Sequence, residues 1–279
     1  MAIIGGLKLD KTTIIGLITG IVAIGLGMIL KGVTIESMLN PAAFLIIIFG
    51  TIASVLIAFP TRIIKKVPSL LKIIFFDKEE VNIYQLIQSF AKWAEQTRRE
   101  GLLSLEAQME EIDDPFLKSG LQMALDGQNP DFIRDVLMEK IAAMEERHAE
   151  GARVFSQAGT YAPTLGVLGA VVGLVAALSN MQNMDVLGTA ISAAFIATLF
   201  GIFTGYVLWH PFANKLKEKS RQEVKVKQIM VEGVLSITAG ESPTVIKDKL
   251  SSYLSSKEME ELEKAENEQE GSYATEKTN

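Results

Sequence analysis

Residues 161–211 read YAPTLGVLGAVVGLVAALSNMQNMDVLGTAISAAFIATLFGIFTGYVLWHP. They form two apolar runs joined by a short loop, each run is bounded by a proline, and neither run contains a charged residue. A helix needs about 17–25 mostly apolar residues to cross the hydrocarbon layer of a membrane. Both runs meet that requirement, so the stretch predicts a hairpin of two membrane-spanning helices.

Two further apolar runs lie near the N-terminus, so that the sequence predicts four spans, at about 14–30, 42–59, 162–178 and 186–209. The chain has 279 residues, of which 48% are apolar, and a mean hydropathy of +0.26. This is too hydrophobic for an ordinary soluble domain. The first run lacks a small-residue cleavage pattern and is longer than the apolar part of a signal peptide, so we expect it to be retained as a span.

Basic residues near the span ends predict the orientation, because lysine and arginine stay on the cytoplasmic side of a membrane. Three of the span ends are flanked by such residues, namely Lys8, Lys11, Arg62, Lys65, Lys66, Lys72, Lys215, Lys217, Lys219 and Arg221. The loop at 31–40 has one lysine, and the loop at 179–185 has no basic residue. Both termini and the segment between the second and third spans are therefore expected in the cytoplasm.

The segment between the second and third spans has a helical rather than a strand pattern. Its apolar residues recur every three or four positions, as in Ile83, Leu86, Ile87, Phe90 and Trp93. Turn residues followed by a proline, at 113–115 and at 126–130, divide the segment into separate helices.

The part that follows the fourth span is also helical in pattern. A charged helix is expected to continue through about Ile237, and Glu241-Ser242-Pro243 predicts the start of one more short helix. From about Lys257 the acidic tail has too few apolar residues to fold.

We therefore expect an all-α membrane protein with four transmembrane helices, a large helical cytoplasmic loop between spans 2 and 3, and a helical C-terminal cytoplasmic tail. The predicted domains are an N-terminal transmembrane hairpin (1–60), a helical cytoplasmic domain (61–157), a C-terminal transmembrane hairpin (158–211), and cytoplasmic helices with a disordered acidic tail (212–279).

Small residues are frequent in the spans. Glycines four positions apart occur at Gly16 and Gly20, at Gly169 and Gly173, and at Gly201 and Gly205. Close packing through small residues is the main way in which helices associate in lipid. These glycines are expected to pack the helices of one subunit, or to form contacts between subunits or with a partner.

No Asp, Glu, Lys or Arg lies within the four apolar runs, whose polar side chains are hydroxyls. Ionisable residues inside a membrane are the usual markers of ion relays. Either the protein moves no ions, or a second protein supplies the titrating group. A threonine hydroxyl usually bonds to its own helix, but Thr198 shares a small-residue face with Gly201 and Gly205, where a hydroxyl can meet a partner helix or a hydrated ion.

Pro163 begins the third apolar run, and Pro211 follows the fourth run at the same face of the membrane. Prolines at such positions often only start or stop a helix. Alternatively, they lie where an event in the membrane is passed to the cytoplasmic part of the chain. Their spacing alone leaves both interpretations open.

The composition argues against an enzyme. The chain has no cysteine, which excludes disulfides and thiolate-held metals, and its two histidines, His148 and His210, are isolated. No glycine-rich phosphate loop is present, and no group of residues fits a catalytic role. We therefore expect no catalytic residue, no cofactor, no metal ion and no nucleic-acid partner.

Three motifs are similar to those of one family. They are RREGLLSLE at 98–106, APTLG at 162–166, and GY at 205–206 with HPFA at 210–213. Together with the layout of four spans, one large loop and a charged tail, they resemble the flagellar motor stator A-subunit, the MotA family. The resemblance covers nearly the whole chain.

The resemblance implies a multi-pass protein of the cell membrane that forms a homo-oligomeric ring, a pentamer in the family. The ring surrounds two copies of a B-subunit, whose single membrane helix carries an ion-binding aspartate and whose periplasmic domain binds peptidoglycan. Ion-motive force then drives the ring past the rotor.

The resemblance also implies roles for particular residues. Arg98 and Glu106 fall on charged positions that contact the rotor switch protein, Pro163 and Pro211 on the prolines that couple ion passage to movement, and Thr198 on a threonine near the ion path. Sodium-driven relatives tend to carry a threonine where this chain has Ala170. Because alanine offers no side-chain oxygen to sodium, we expect protons as the coupling ion, with sodium as the alternative.

Two other functions compete with this one. The first is the energising subunit of an outer-membrane transport or envelope-maintenance complex, but such proteins typically have three spans. The second is a non-conducting membrane scaffold, which leaves the paired prolines and the motif at 98–106 unexplained.

Overall fold

The structure, a computed structural model, describes residues 8–33, 40–77, 81–179, 182, 184–254 and 259. Its helices are α1 (Lys11–Leu30), α2 (Pro41–Ala58), α3 (Thr61–Ile64), α4 (Val67–Phe75), α5 (Ile83–Glu100), α6 (Pro115–Leu125), α7 (Pro130–Leu178), α8 (Met184–Thr238) and α9 (Pro243–Ser251). A 3-10 helix covers Leu102–Glu110. Two short antiparallel strands, β1 (Lys8–Leu9) and β2 (Phe76–Asp77), pair Lys8 with Asp77 and Leu9 with Phe76.

Four of the described helices, α1, α2, α7 and α8, are long and apolar enough to cross a membrane. They cover the four predicted spans, and the predicted fold class is confirmed. With 49 and 55 residues, α7 and α8 are far longer than the roughly 20 residues that a membrane span requires. The continuation of the fourth span is also confirmed, because α8 ends at Thr238.

Local chemistry sets where the helices begin. Side chains of Asp10, Asn40, Asn82, Asp114 and Ser242 accept hydrogen bonds from backbone N–H groups in the first turns of α1, α2, α5, α6 and α9. Such caps satisfy donors that the helix itself leaves free. Proline occupies the first turn of α2, α6, α7 and α9, as its fixed φ and missing N–H favour. The starts predicted near Pro115, Pro130 and Pro243 are confirmed.

The chain folds as two compact units, each built from separate stretches of sequence. The first, here the membrane unit, combines residues 1–79 with 146–220; the second, the extramembrane unit, combines residues 80–145 with 221–279. Thus α7 and α8 each contribute residues to both units. The domain boundaries predicted from the sequence, at 61–157 and 212–279, divide the chain into contiguous segments and stay a prediction.

The extramembrane unit has a core of large apolar side chains. Its fully buried members include Ile87, Phe90, Ile133, Ile229 and Ile246. Phe90 and Trp93 stack edge to face with 5.3 Å between ring centroids. This core brings α5 and α9 together with the last part of α8.

The membrane unit has smaller apolar clusters. One contains Ile74 of α4, Phe155 of α7 and Phe212 of α8, beside the partly buried Trp209. Many apolar side chains of its long helices are exposed, as expected for surfaces that face lipid or other chains: Leu30 is 86% and Phe195 is 72% exposed. The predicted disordered tail from about Lys257 lies almost entirely outside the described residues.

Candidate functional site

Pro163 lies inside α7, and Pro211 lies inside α8. The interpretation that these prolines only start or stop helices is therefore wrong. Proline has no N–H, so each one removes a hydrogen bond from the helix that carries it. Both helices nevertheless continue, which means that the surrounding contacts hold a weakened turn in place.

Gly205 covers the weakened turn at Pro163. A Cβ atom placed on Gly205 would lie 2.8 Å from the carbonyl oxygen of Gly159 and 2.8 Å from Cγ of Pro163. Gly159 is four residues before Pro163, so its oxygen is the acceptor that the missing N–H leaves without an α-helical bond. Gly205 therefore packs against that oxygen so closely that no side chain fits between the two helices at this point.

One turn further along, α7 and α8 touch backbone to backbone. A Cβ on Gly201 would lie 2.7 Å from Cα of Gly166, and a Cβ on Gly166 would lie 2.8 Å from Cα of Gly201. The predicted role of Gly201 and Gly205 in packing is thereby confirmed within one chain. Gly16, in contrast, has no described atom within 4 Å of the position where its Cβ would be.

The turn of α8 before Pro211 is a π-helix, Thr204–Trp209, in which the N–H of His210 donates to the carbonyl oxygen of Gly205. A second π turn, Leu45–Phe49, lies within α2; π turns inside α-helices are rare and often mark functional sites. The buried Thr204 hydroxyl lies 2.9 Å from the Phe200 carbonyl oxygen. Pro211 itself is exposed. The two prolines thus belong to one region, since Gly205 of the π turn lies against Pro163.

Ala170 and Thr198 are both partly buried. They lie next to a contact between the two helices, because a Cβ on Gly169 would lie 3.7 Å from Cβ of Ala197. The Thr198 hydroxyl donates to the Ala194 carbonyl oxygen of its own helix at 3.3 Å. The Thr198 side chain is therefore satisfied without a partner.

Arg98 and Glu106 are exposed on the extramembrane unit. Arg98 is in the last turn of α5, and Glu106 is in the 3-10 helix that follows. Gly101, with φ of +84°, separates them, so the two residues do not share one uninterrupted helix. Among the described residues, neither side chain has a hydrogen bond or an ion pair, whereas the neighbouring Arg99 pairs with Glu95.

Buried neighbours fix the segment that carries Glu106. Leu105 and Met109 are 1% and 6% exposed in the core of the unit. The side-chain amide of Gln96 donates to the Ser104 carbonyl oxygen at 2.9 Å, which ties the segment back to α5. Glu106 is therefore presented to solvent from an anchored backbone.

The structure also reveals an ion cluster that the sequence analysis missed. Asp10, which caps α1, is only 2% exposed, and its carboxylate lies 2.6 Å from Nζ of Lys215 and 3.5 Å from Nζ of Lys219. Burial alone would raise the pKa of Asp10, but the ammonium group of Lys215 and hydrogen bonds from Thr12 and the Thr13 amide hold it well below its usual range. Its capping position before an apolar run was the one available signal.

No group of three or more His, Asp or Glu side chains in the described part of the chain is arranged to hold a metal ion. The arrangement offers instead a weakened helix pair in the membrane unit, two free surface charges on the extramembrane unit, and a buried ion cluster.

Comparison with known proteins identifies similar chains. Residues 108–229 match the model of the MotA/TolQ/ExbB proton channel family. The chain is 61% identical to motility protein A of Bacillus subtilis over 250 residues, which covers 90% of this chain and 93% of that protein. It is 33% identical to the chemotaxis protein PomA of Vibrio alginolyticus, covering 88% of this chain and 96% of that one.

Two solved structures are similar as well. A chain of the flagellar MotAB stator complex from Bacillus subtilis matches with a TM-score of 0.85 and 60% identity, covering 90% of this chain and 99% of that chain. A chain of the C. jejuni MotAB structure matches with a TM-score of 0.84 and 31% identity, covering 89% of this chain and 97% of that chain.

Proposed function

The chain belongs to the motility protein A family and is a stator subunit of the flagellar motor, and from this premise we propose how it converts ion flow into movement. It forms a homo-oligomeric ring around a B-subunit of the MotB type, in the cell membrane and with both termini in the cytoplasm. The partner supplies the ion-binding carboxylate. Two solved MotAB complexes that are similar over about nine-tenths of this chain support such an assembly.

The observation that carries the mechanism is the contact of Gly205 with Pro163. It joins the turn of α7 from which Pro163 removes a backbone hydrogen bond to the π turn of α8 that precedes Pro211. A turn without its full set of hydrogen bonds bends at lower cost than a regular one. Ion binding to the partner beside this hairpin therefore acts on the most deformable part of α7 and α8.

The available energy fits a small movement. One elementary charge that crosses about 100 mV releases about 2.3 kcal/mol. That energy is comparable to a few weak contacts such as the one between Gly205 and the Gly159 oxygen, and it is too small to disrupt the apolar core of the extramembrane unit. Rotation therefore proceeds through many small steps.

The coupling ion in this proposal is the proton. Ala170 has no side-chain oxygen to offer a sodium ion. Protons need only the partner's carboxylate and a path of water. Arg98 and Glu106 contact oppositely charged residues of the rotor switch protein, which fits two exposed charges without partners in the described structure.

Coexpression tests the proposal. In a flagellated but non-motile strain that lacks its own stators, this chain with its cognate B-subunit is expected to restore swimming, and either protein alone is not. Swimming is expected to persist when potassium replaces sodium in the medium and to stop when a protonophore is added. Swimming that requires sodium would assign the other ion, and no swimming in any medium would overturn the proposed function.

Charge reversal tests the rotor contact. The double variant Arg98→Glu with Glu106→Lys is expected to abolish swimming while the complex still accumulates in the membrane. Arg99→Gln is the matched control, since this neighbouring side chain is exposed but already paired with Glu95. Equal swimming of the double variant and the control would rule out the assigned contact.

A further inference from the structure

The cluster around Asp10 joins three separate parts of the membrane unit. Oδ1 of Asp10 accepts hydrogen bonds from Oγ1 of Thr12 at 2.7 Å and from the Thr13 N–H at 3.0 Å, at the start of α1. Its Oδ2 lies 2.6 Å from Nζ of Lys215 on α8. The same lysine donates to Thr12 at 3.0 Å. One buried carboxylate thus connects the first turn of α1 to α8.

Lys219 adds the third part. Its ammonium group donates to the Ile73 carbonyl oxygen at 2.6 Å and to the Phe76 carbonyl oxygen at 3.2 Å, at the end of α4. It also pairs with Asp77 at 2.7 Å and lies 3.5 Å from Asp10. The pairing of β1 with β2 holds the chain before Asp10 against the same place.

The position of the two lysines on α8 is informative. They are four and eight residues after Pro211, and so they lie directly beyond the π turn and the proline. Between them and the proline, Phe212 and Ala213 are buried against the cluster that contains Ile74 and Phe155. This part of α8 is therefore fixed by both apolar contacts and ion pairs, whereas the turn that precedes it is weakened.

We propose that Asp10 is a positioning residue for torque generation: it fastens the part of α8 beyond Pro211 to the first turn of α1 and the end of α4. Movement at the weakened turn is then passed on to α1 and α4 together with α8, instead of being lost as local bending of α8. This inference rests on the proposed function, because it concerns how ion-driven movement leaves the hairpin.

Burial explains why one carboxylate suffices. A paired charge that is shielded from water interacts much more strongly than an exposed one. Removal of the Asp10 charge leaves the ammonium group of Lys215, which is 29% exposed, with only the Thr12 hydroxyl. The fastening of α8 to the start of α1 then loses both ion pairs of Asp10, the one with Lys215 and the one with Lys219.

Asp10→Asn is the variant that isolates this role. Asparagine caps a helix as well as aspartate does, so the start of α1 is preserved while the ion pairs are lost. The variant is expressed with its B-subunit in a stator-less strain, and the torque of single motors is followed at high load as stator units are added one at a time. Unit number and torque per unit are thereby measured separately.

The expected result is an unchanged number of units with torque per unit reduced at least twofold. Asp10→Glu, which keeps the charge, is expected to restore most of the torque. Asp77→Asn is the matched control, because this carboxylate is 44% exposed and Lys219 keeps its other partners; its torque per unit is expected to equal that of the wild type.

Normal torque per unit in Asp10→Asn would overturn the proposal, as would fewer units of normal torque, which indicates a purely structural role. If Asp10→Asn does not accumulate in the membrane, Lys215→Gln is measured in the same way, and normal torque per unit in that variant is equally decisive against the proposal. Failure of the wild-type chain to produce torque would instead contradict the proposed function.

Discussion

The two ends of α8 are packed in different ways. In the membrane unit, Gly201 meets Gly166 through backbone atoms, with only 2.7 Å between Cα of Gly166 and the position that a Cβ on Gly201 would take. In the extramembrane unit, α8 contributes large buried side chains such as Ile229 and Val234. Side chains can adopt other rotamers when a neighbour changes, but a backbone contact cannot. At Gly166 and Gly201, the packing of the membrane part therefore depends on the absence of side chains.

The two units nevertheless share one device: an aspartate that caps a helix and pairs with a lysine of α8. Asp10 pairs with Lys215 and Asp114 pairs with Lys227, each at 2.6 Å. Asp10 is more deeply buried, with its side chain 3% exposed against 29% for Asp114. The comparison indicates that burial of the carboxylate, rather than the distance to the lysine, separates the two pairs.

Gly201→Ala is expected to have the largest effect. The added methyl group meets backbone atoms of Ala162 and Gly166, so α7 and α8 must separate. Overpacking of this kind costs about 1–3 kcal/mol or more, and the gain in helix propensity from glycine to alanine is only about 1 kcal/mol. We expect loss of swimming and a lower yield of the stator complex, measured by copurification with the B-subunit.

Gly16→Ala is the control, since no described atom lies within 4 Å of its Cβ position. A normal yield for both variants would mean that the backbone contact between Gly166 and Gly201 is not required. A low yield for both would indicate that Gly16 packs against another chain of the complex.

Asp114→Asn tests the pairing of a capping aspartate with a lysine in the extramembrane unit. We expect the free energy of unfolding to fall by about 1–2 kcal/mol, because a charge-assisted hydrogen bond is removed while the cap remains. Burial raises the pKa of Asp114, but Lys227 and the Leu117 and Phe116 amides lower it below its usual value. Because the pKa of Asp114 is lower in the folded state, its carboxylate stabilises the fold at any pH above the unfolded-state pKa of about 3.9. This stabilisation is lost as the pH falls through the folded-state pKa.

The measurement for Asp114→Asn is thermal unfolding of the purified complex, followed by the fluorescence of Trp93 in a Trp209→Phe background. The difference in the free energy of unfolding between Asp114→Asn and the parent is expected to be constant between about pH 5 and 8 and to shrink below about pH 4. A difference that grows toward acid would show that the sign of the pKa shift is wrong.

Gly233→Ala is expected to have a smaller effect, although its Cβ would lie only 2.5 Å from the ring of Phe90. Here the obstacle is the far end of a side chain, so the ring can shift, and the gain in helix propensity offsets part of the cost. We expect the free energy of unfolding to fall by about 1 kcal/mol, which the Trp93 fluorescence reports as a lower unfolding temperature. A loss as large as that of Gly201→Ala would erase the contrast between side-chain and backbone contacts.

Local chemistry made much of the fold predictable. The cap-and-proline pairs at Asp114-Pro115 and Ser242-Pro243 mark helix starts because both residues act on the nearest turn. The absence of charge in the spans, together with the motifs at 98–106 and 162–166, was enough to identify the family.

What could not be predicted depends on contacts between residues far apart in sequence. The sequence left open whether Pro163 only starts a helix, whereas α7 continues through it and Gly205 packs against the freed oxygen of Gly159. The ion pair of Asp10 with Lys215 joins the first turn of α1 to the middle of α8, and no sequence period connects them. The π turn likewise has no local signature beyond the proline that follows it.

The smallest effect is expected from Arg62→Gln. Arg62 pairs with Glu150 at 3.3 Å, but its side chain is 75% exposed, so water screens the attraction. Exposed ion pairs contribute about 0–1 kcal/mol, and we expect a change below about 0.5 kcal/mol in the thermal unfolding of the complex, followed by Trp209 fluorescence in a Trp93→Phe background. A loss as large as that of Asp114→Asn would show that exposure is not what separates weak from strong pairs, and the special position of Asp10 would then need another cause.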